Sequence, residues 1–233
     1  VRTRAALFLF LTAAPLAAQA PHCVIPAELP EPRLTRPEPG AVRNTRPTHY
    51  LLALSWSPQF CRDRGGDPEH ASQCGPGARF GFILHGLWPD GPGRDDPAWC
   101  AAPTRVARDT LRRHFCMTPS VDLLQHEWAK HGTCMARDPE RYFRAGAILY
   151  RSLRWPDMRR LSFDRVSVDD FRGAFARANP GVPANAVLVQ TTRGGWLREV
   201  QVCYGRDFRP RACPRGESGA DGRQRLKIWR DER

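Results

Sequence analysis

Leu123, Leu124 and Trp128 recur at spacings that share one face of a helix, and Ser120 stands where an N-cap belongs. This pattern predicts a helix over residues 120–131. Glu127 and His131 are then four residues apart and lie one above the other, while His126 and Lys130 form a second such pair on the adjacent strip. Upstream, the apolar run over residues 50–56 reads as a buried strand, ended by Ser57-Pro58. Residues 80–89 begin as another apolar strand, which Gly86 and Pro89 are expected to break, leaving His85 where the strand becomes a turn. Helices are predicted over residues 104–116 and 140–154. Ser167-Val168-Asp169-Asp170 reads as a capping box for a helix to residue 177, stopped by Asn179-Pro180-Gly181. Residues 186–191, 196–204 and 226–229 read as strands. Residues 61–79, 91–103 and 214–224 read as loops, and the proline-rich residues 21–47 as an irregular arm. Strands at both ends with helices between them predict one α+β domain over residues 48–233, built on a mostly antiparallel sheet flanked by helices.

Composition adds a compartment and a charge. Residues 1–20 have a basic start, an apolar middle and small residues at Ala18 and Ala20, the layout of an export signal, which places the chain in the periplasm or outside the cell. The apolar run is short for a membrane span and Pro15 interrupts it. No later stretch is long and apolar enough to cross, so stable membrane association is not expected. The formal charge is +12, and +10 without Arg2 and Arg4. Lys130 and Lys227 are the only lysines, so the field is an arginine field that attracts polyanions, nucleic acid foremost. Eight cysteines without a CxxC pair argue for disulfides over zinc or redox chemistry. Cys61 and Cys74 close a local loop, and Cys203 and Cys213 flank a strand and turn; spacing does not fix the rest.

Two of the seven histidines fall within six residues on the 120–131 helix, which points to a functional cluster more than to a solvated face. Zinc is disfavoured there, because His126 and His131 are five apart, about 140° round the helix, and not at the i, i+4 spacing of a metalloprotease. Acid–base chemistry remains. His85 at a strand end adds a third imidazole, while His70 reads as a surface residue. Trp88 and Asp90 together could stack on a base and accept from its amino groups.

Phe82-Ile83-Leu84-His85-Gly86-Leu87-Trp88-Pro89 and His126-Glu127-Trp128-Ala129-Lys130-His131-Gly132-Thr133-Cys134 resemble the two signature segments of the RNase T2 family. The resemblance runs from about Tyr50 to Trp229 and includes Leu54-Ser55-Trp56-Ser57-Pro58-Gln59-Phe60-Cys61, which looks like the first core strand of bacterial members, and Glu199-Val200-Gln201-Val202-Cys203. It implies the RNase T2-like fold and a metal-independent, cofactor-free endoribonuclease of low base specificity. Such an enzyme cleaves RNA to a 2′,3′-cyclic phosphate and then opens the ring to a 3′-phosphate. By position, His85 and His131 match the catalytic histidines, Glu127 and Lys130 their supporting pair, His126 a phosphate-binding histidine, and Trp88 and Asp90 base contacts. Family position also pairs Cys100 with Cys134, which leaves Cys23 with Cys116. Ser55 departs from the glutamine of many eukaryotic relatives, the segment 90–97 matches nothing assignable, and the arm lies outside the resemblance. The implied partner is single-stranded RNA, met by a monomer.

The chemistry suits these residues. RNA carries its own nucleophile, the 2′-OH, so the enzyme needs a base for that proton and an acid for the leaving 5′-oxygen. Imidazoles, with an unperturbed pKa near 6.5, serve both roles. Lys130 can compensate the growing phosphoryl charge, and Glu127 can orient a neighbour. The family makes His131 the base and His85 the acid; the residues alone leave the reverse open. Two other classes stay open from the residues: a secreted RNA-binding protein without activity, and a disulfide-bonded metallohydrolase.

Overall fold

The computed structural model describes residues 22–91 and 96–230. The expected export signal and part of the segment after Asp90 lie outside them. In chain order the elements are β1 (His49–Trp56), α1 (Ser57–Arg64), α2 (Ala71–Cys74), β2 (Phe82–Asp90), α3 (Arg108–His114), α4 (Val121–Lys130), α5 (Pro139–Ser152), α6 (Met158–Phe163), β3 (Val166–Ser167), α7 (Val168–Ala178), β4 (Val187–Thr191), β5 (Leu197–Gly205) and β6 (Arg225–Leu226). Among the described residues, the main sheet has the order β2-β1-β5-β4 with every neighbour antiparallel, and β3 pairs with β6 in a small second sheet. The architecture is α+β.

Strand alternation divides the main sheet into two faces. Leu52, Leu54, Phe82, Leu84, Val200 and Val202 point to the face that forms the core. Helix α5 covers it because Tyr142, Phe143, Gly146, Ala147 and Tyr150 recur along one side of that helix. Its two tyrosines also tie it to β2: Tyr142 Oη donates to the Leu87 carbonyl at 3.1 Å and Tyr150 Oη to the Phe82 carbonyl at 2.7 Å. The opposite face carries Ser55, Glu199 and Gln201, and holds the candidate site.

Helix α4 begins after Ser120, whose hydroxyl accepts from the Leu123 N–H at 3.2 Å, and His131 is its C-cap. The capping box at Ser167 and Asp170 is present in α7. That helix ends at Asn179, and Gly181 follows with φ +100°, a conformation that favours glycine. Asn179 is itself buried and fully engaged. Its Oδ1 accepts from the Arg154 N–H at 2.7 Å, while its Nδ2 donates to the carbonyls of Arg154 at 2.7 Å and Phe175 at 2.8 Å. Asn179→Ala removes all three bonds, one buried and two part-buried. Chemical denaturation is expected to show a loss of about 3 kcal/mol.

Several elements differ from expectation. Residues 61–79 are not a plain loop: α1, a 3₁₀ turn over Pro68–His70 and α2 occupy them. Helix α1 has a weak apolar face, so periodicity does not mark it; Pro58 suits its first turn, and Cys61–Cys74 holds the pair of short helices together. The helix expected over residues 104–116 shrinks to α3, because Gln125 claims the backbone before it: Val106 N–H donates to Gln125 Oε1 and Gln125 Nε2 donates to the Thr104 carbonyl. Helix α6, capped by Asp157, has no counterpart in the sequence reading. The last strand is shorter than expected, and the Trp229 carbonyl instead accepts from the Trp56 indole at 2.7 Å. Strand β2 runs through both Gly86 and Pro89. Proline is tolerated there because β2 is the sheet edge.

The cysteines pair as Cys23–Cys116, Cys61–Cys74, Cys100–Cys134 and Cys203–Cys213. Cys23–Cys116 pins the N-terminal arm to the segment after α3, and Cys100–Cys134 joins the segment after β2 to the turn after α4. No helix among the described residues is long and apolar enough to cross a membrane.

Candidate active site

His85 is not at a strand end. The register of β1 against β2 shifts between Ala53 and Leu54, and His85 is the residue left without a partner at that bulge. A bulge re-aims a side chain while the sheet still holds its backbone. The imidazole turns to the polar face, where its side chain is 31% exposed, enough to meet a substrate. Its Nδ1 lies 2.6 Å from Glu199 Oε2, on β5. That oxygen also accepts from the Ser55 hydroxyl at 3.2 Å, and Gln201 Nε2 donates to Glu199 Oε1 at 2.8 Å. These bonds hold the Glu199 pKa below its ordinary value despite burial, which acts to raise it. An ionised carboxylate only accepts, so Nδ1 of His85 carries the proton in this bond and Nε2 is the nitrogen left for other partners. Burial disfavours protonated His85, but the Glu199 bond and the charges of Glu127 and Glu199 outweigh it and raise the His85 pKa.

Helix α4 supplies the other half. Glu127 is 3% exposed, accepts from Trp88 Nε1 at 2.8 Å and lies 3.7 Å from His85 Nε2. Burial pushes its pKa up to about 7, against the opposing pull of His85, the Trp88 bond and Lys130. The approach of α4 to β2 is close enough to require Gly86: a side chain there would collide with the Glu127 carboxylate and the Trp88 indole nitrogen. His131, at the helix end, stacks on the Trp88 ring with centroids 5.5 Å apart, and His85 meets the same indole edge-on at 5.1 Å. Burial, then the positive charges of Lys130, His126 and His85, hold the His131 pKa well below the ordinary imidazole value. His126 is lowered as well, by burial and then by Lys130 and His85; its ring meets Trp99 edge-on at 5.7 Å. The Trp99 N–H donates to the Lys130 carbonyl at 2.8 Å, and Trp99 adopts φ 57°, uncommon for a bulky residue. Together with Cys100–Cys134, this strained residue clamps the segment after β2 onto the end of α4.

His85, Glu127, Trp88 and His131 therefore form one connected group, with Lys130 and His126 on the same helix. Asp90 stands apart from them at the far end of β2. The residue is 7% exposed, and its carboxyl group sits 3.8 Å from His49 Nε2, which is 3.0 Å from Glu217. Burial, and then the neighbouring Asp96 and Glu217 carboxyl groups, push its pKa up to about 9. The ligand-type atoms of His49, Asp90 and Glu217 lie within 4.8 Å of one another. Glu199 is the polar residue of the site that the sequence reading did not assign. Its alternation with Gln201 along β5 was a signal, but only the pairing with β1 says which face they share.

A cavity of about 890 Å³ opens beside this group, lined by Ser55, His85, Trp88, Ser120, Glu199 and Gln201 and extending over Phe60 and His70. His70 is thus not a plain surface residue. It is half-buried, with its ring 4.8 Å from Phe60 in an edge-on contact on the wall of the same cavity. Folding of residues 61–79 into short helices brought it there.

Comparison with known proteins matches the model of the Ribonuclease T2 family to residues 47–161, the span holding both signature segments. A probable ribonuclease of Haemophilus influenzae is 32% identical over 176 residues, 71% of this chain and 60% of that protein. Ribonuclease I of Escherichia coli is 27% identical over 197 residues, 66% of this chain and 73% of that protein. The chain thus spans under two thirds of the length of the Haemophilus relative. Among solved structures, an RNase-related protein from Calystegia sepium superposes with a TM-score of 0.63 at 22% identity, covering 80% of this chain and all of that one, which shows a common fold. With the family match lying over the very strands and helix that assemble the histidine group, the chain belongs to the ribonuclease T2 family.

Proposed function

We propose that this chain is a metal-independent endoribonuclease that cleaves single-stranded RNA by attack of the 2′-OH on the adjacent phosphate, giving a 2′,3′-cyclic phosphate and then a 3′-phosphate. The observation that carries this reading is one indole holding two imidazoles whose pKa values are pushed in opposite directions: His85 up, His131 down. Paired groups with pKa values driven apart are how one site supplies an acid and a base together. His131, neutral, takes the 2′-OH proton. His85, protonated and held by Glu199, gives its proton to the leaving 5′-oxygen. In ring opening the roles reverse: water enters where the 5′-oxygen left, His85, now neutral, takes its proton, and His131 returns a proton to the departing 2′-oxygen. Lys130 and His126 meet the phosphoryl oxygens, and Lys130 compensates the charge that grows on them. Glu127, whose pKa burial lifts to about 7, steadies Trp88 and faces His85 Nε2, where its ionised form favours the imidazolium.

Trp88 and Asp90 remain the residues assigned to base contact. Trp88 already lends its ring to His131 and its N–H to Glu127. A base contact through Asp90 requires the His49–Asp90–Glu217 group to open, since that carboxyl group is buried. Export to an oxidising compartment, the periplasm or beyond, belongs to the same reading and is supported by the four disulfides.

RNA and DNA of matched sequence, incubated with the protein in excess chelator, test the substrate class. The expected result is cleavage of the RNA alone, undiminished by the chelator and weakened by added salt, because the cationic surface releases phosphate counterions. Equal cleavage of DNA, or abolition by the chelator, rejects the reading.

A further inference from the structure

Away from the histidine group, the chain builds a second cavity of about 690 Å³ between the start of β5, the end of α6 and the segment after β6. Its walls alternate aromatic rings and cations. The indoles of Trp196 and Trp229 meet edge-on with centroids 5.9 Å apart. The Arg62 guanidinium lies over both, 4.2 Å from the Trp229 ring and 4.8 Å from the Trp196 ring. Lys227 lies 5.5 Å from the Trp196 ring, and Arg230 lies 4.0 Å over Phe163. Phe163 is 67% exposed and Trp229 36%. A single exposed aromatic side chain needs no explanation. Two around one cavity, together with the half-buried Trp196 and interleaved with arginine and lysine, have the composition of a platform for single-stranded nucleic acid: ring faces for bases, cations for the backbone. Arg225 adds to the charge, and Asp164 is the acidic residue of the lining.

This cavity adjoins the candidate active site along two elements. Trp196 lines it, and Arg198, two residues or about 7 Å further along the strand, lines the cavity beside His85. On α1, Arg62 lies over two of the rings that line the aromatic cavity, while its neighbours Asp63 and Arg64 line the other. A strand leaving the histidine group over Phe60 therefore has cations and ring faces ahead of it.

We propose that Arg62, Phe163, Trp196, Lys227, Trp229 and Arg230 form a second binding surface for single-stranded RNA, engaging nucleotides of the substrate strand beyond those at the histidine group. This rests on the ribonuclease reading for the identity of the strand. The surface adds affinity for long substrates and nothing for a dinucleotide, which is too short to reach it. The alternative is that the stacked cations only hold the C-terminal segment against α1.

The test compares the full chain with its Arg62→Ala/Phe163→Ala/Trp229→Ala variant. The Trp229 main-chain carbonyl that ties to Trp56 survives this change. Three quantities are measured: kcat/KM on an RNA dinucleotide, kcat/KM on a single-stranded RNA of about 20 nucleotides, and Kd for a 2′-O-methyl RNA of that length, which binds without reacting. The expected result is a loss of about tenfold in kcat/KM on the long RNA, carried by KM, a similar rise in Kd, and an unchanged rate on the dinucleotide. Unchanged values on the long RNA overturn the proposal. So does an equal loss on both substrates, the signature of a damaged fold or active site. If the unaltered protein cleaves neither substrate, the ribonuclease reading fails, and the Kd comparison still decides the surface: weaker binding by the variant supports it and equal binding overturns it.

Discussion

His85→Ala and His131→Ala are each expected to lower turnover of single-stranded RNA by about 10² to 10⁴, with the fold retained. The two losses should not multiply in the double variant, because acid and base act on one phosphate in a linked step. His22, exposed on the N-terminal arm and not part of the lining of the cavity beside His85, serves as the control and should be silent when changed to alanine. His70 cannot serve, because it stands on the cavity wall beside Phe60. If the imidazoles only packed, their loss would lower the melting temperature and leave specific activity intact. His131 is 9% exposed and its Nδ1 has no hydrogen-bond partner among the described residues, so removing the ring breaks no bond to them at that atom. Melting temperature and specific activity measured on the same purified variants separate the two outcomes.

Glu199→Gln carries the second large effect. The carboxylate raises the His85 pKa by its hydrogen bond and its charge, against the lowering by burial. An acid must be protonated to work, so the His85-dependent rate is present below the His85 pKa and fades as pH rises through it. Glutamine keeps the shape and removes the charge, so the His85 pKa falls and the alkaline limb of the kcat/KM profile moves to lower pH. The acid limb, set by His131 losing its proton, lies well below the ordinary imidazole range in the unaltered protein and should move little, because Lys130 and His126 are the larger charges acting on His131. At neutral pH the variant should lose about 10- to 100-fold in rate, and recover part of it in acid. A uniform loss across pH would mean that Glu199 only supports the fold.

The helix that carries Glu127, Lys130 and His131 was legible because periodicity and cap agree: Leu124 and Trp128 are buried and Ser120 caps, whereas Leu123, expected on the core face with them, is half-buried and lines the cavity beside His85. The strand HYLLALSW was legible as an apolar run. His85 was legible as a residue but not as a position. Bulges are made by pairing, and nothing in the local sequence shows that Ala53 and Leu54 face Gly86 and Leu84 with His85 between them. Pro89 misled for a related reason, since whether a proline is tolerated depends on which strand ends up at the sheet edge. Glu199 was hidden within a strand whose polar face became visible only beside Ser55. The short helices of residues 61–79 have little apolar periodicity, so their contribution of Phe60 and His70 to the cavity is a product of tertiary contacts. Cys61–Cys74 and Cys203–Cys213 close loops short enough for spacing to suggest, whereas Cys23–Cys116 spans a separation of 93 residues and carries no local signal.

The central claim is that the substrate supplies the nucleophile and the two histidines move its protons. A DNA strand with a single ribonucleotide tests this most directly, with the products analysed for their end groups. The account predicts one cut, on the 3′ side of the ribonucleotide, leaving a 2′,3′-cyclic phosphate on that residue, and no cut when its 2′-OH is methylated. Cleavage of the methylated strand, or a product whose new end carries a 5′-phosphate, would contradict it.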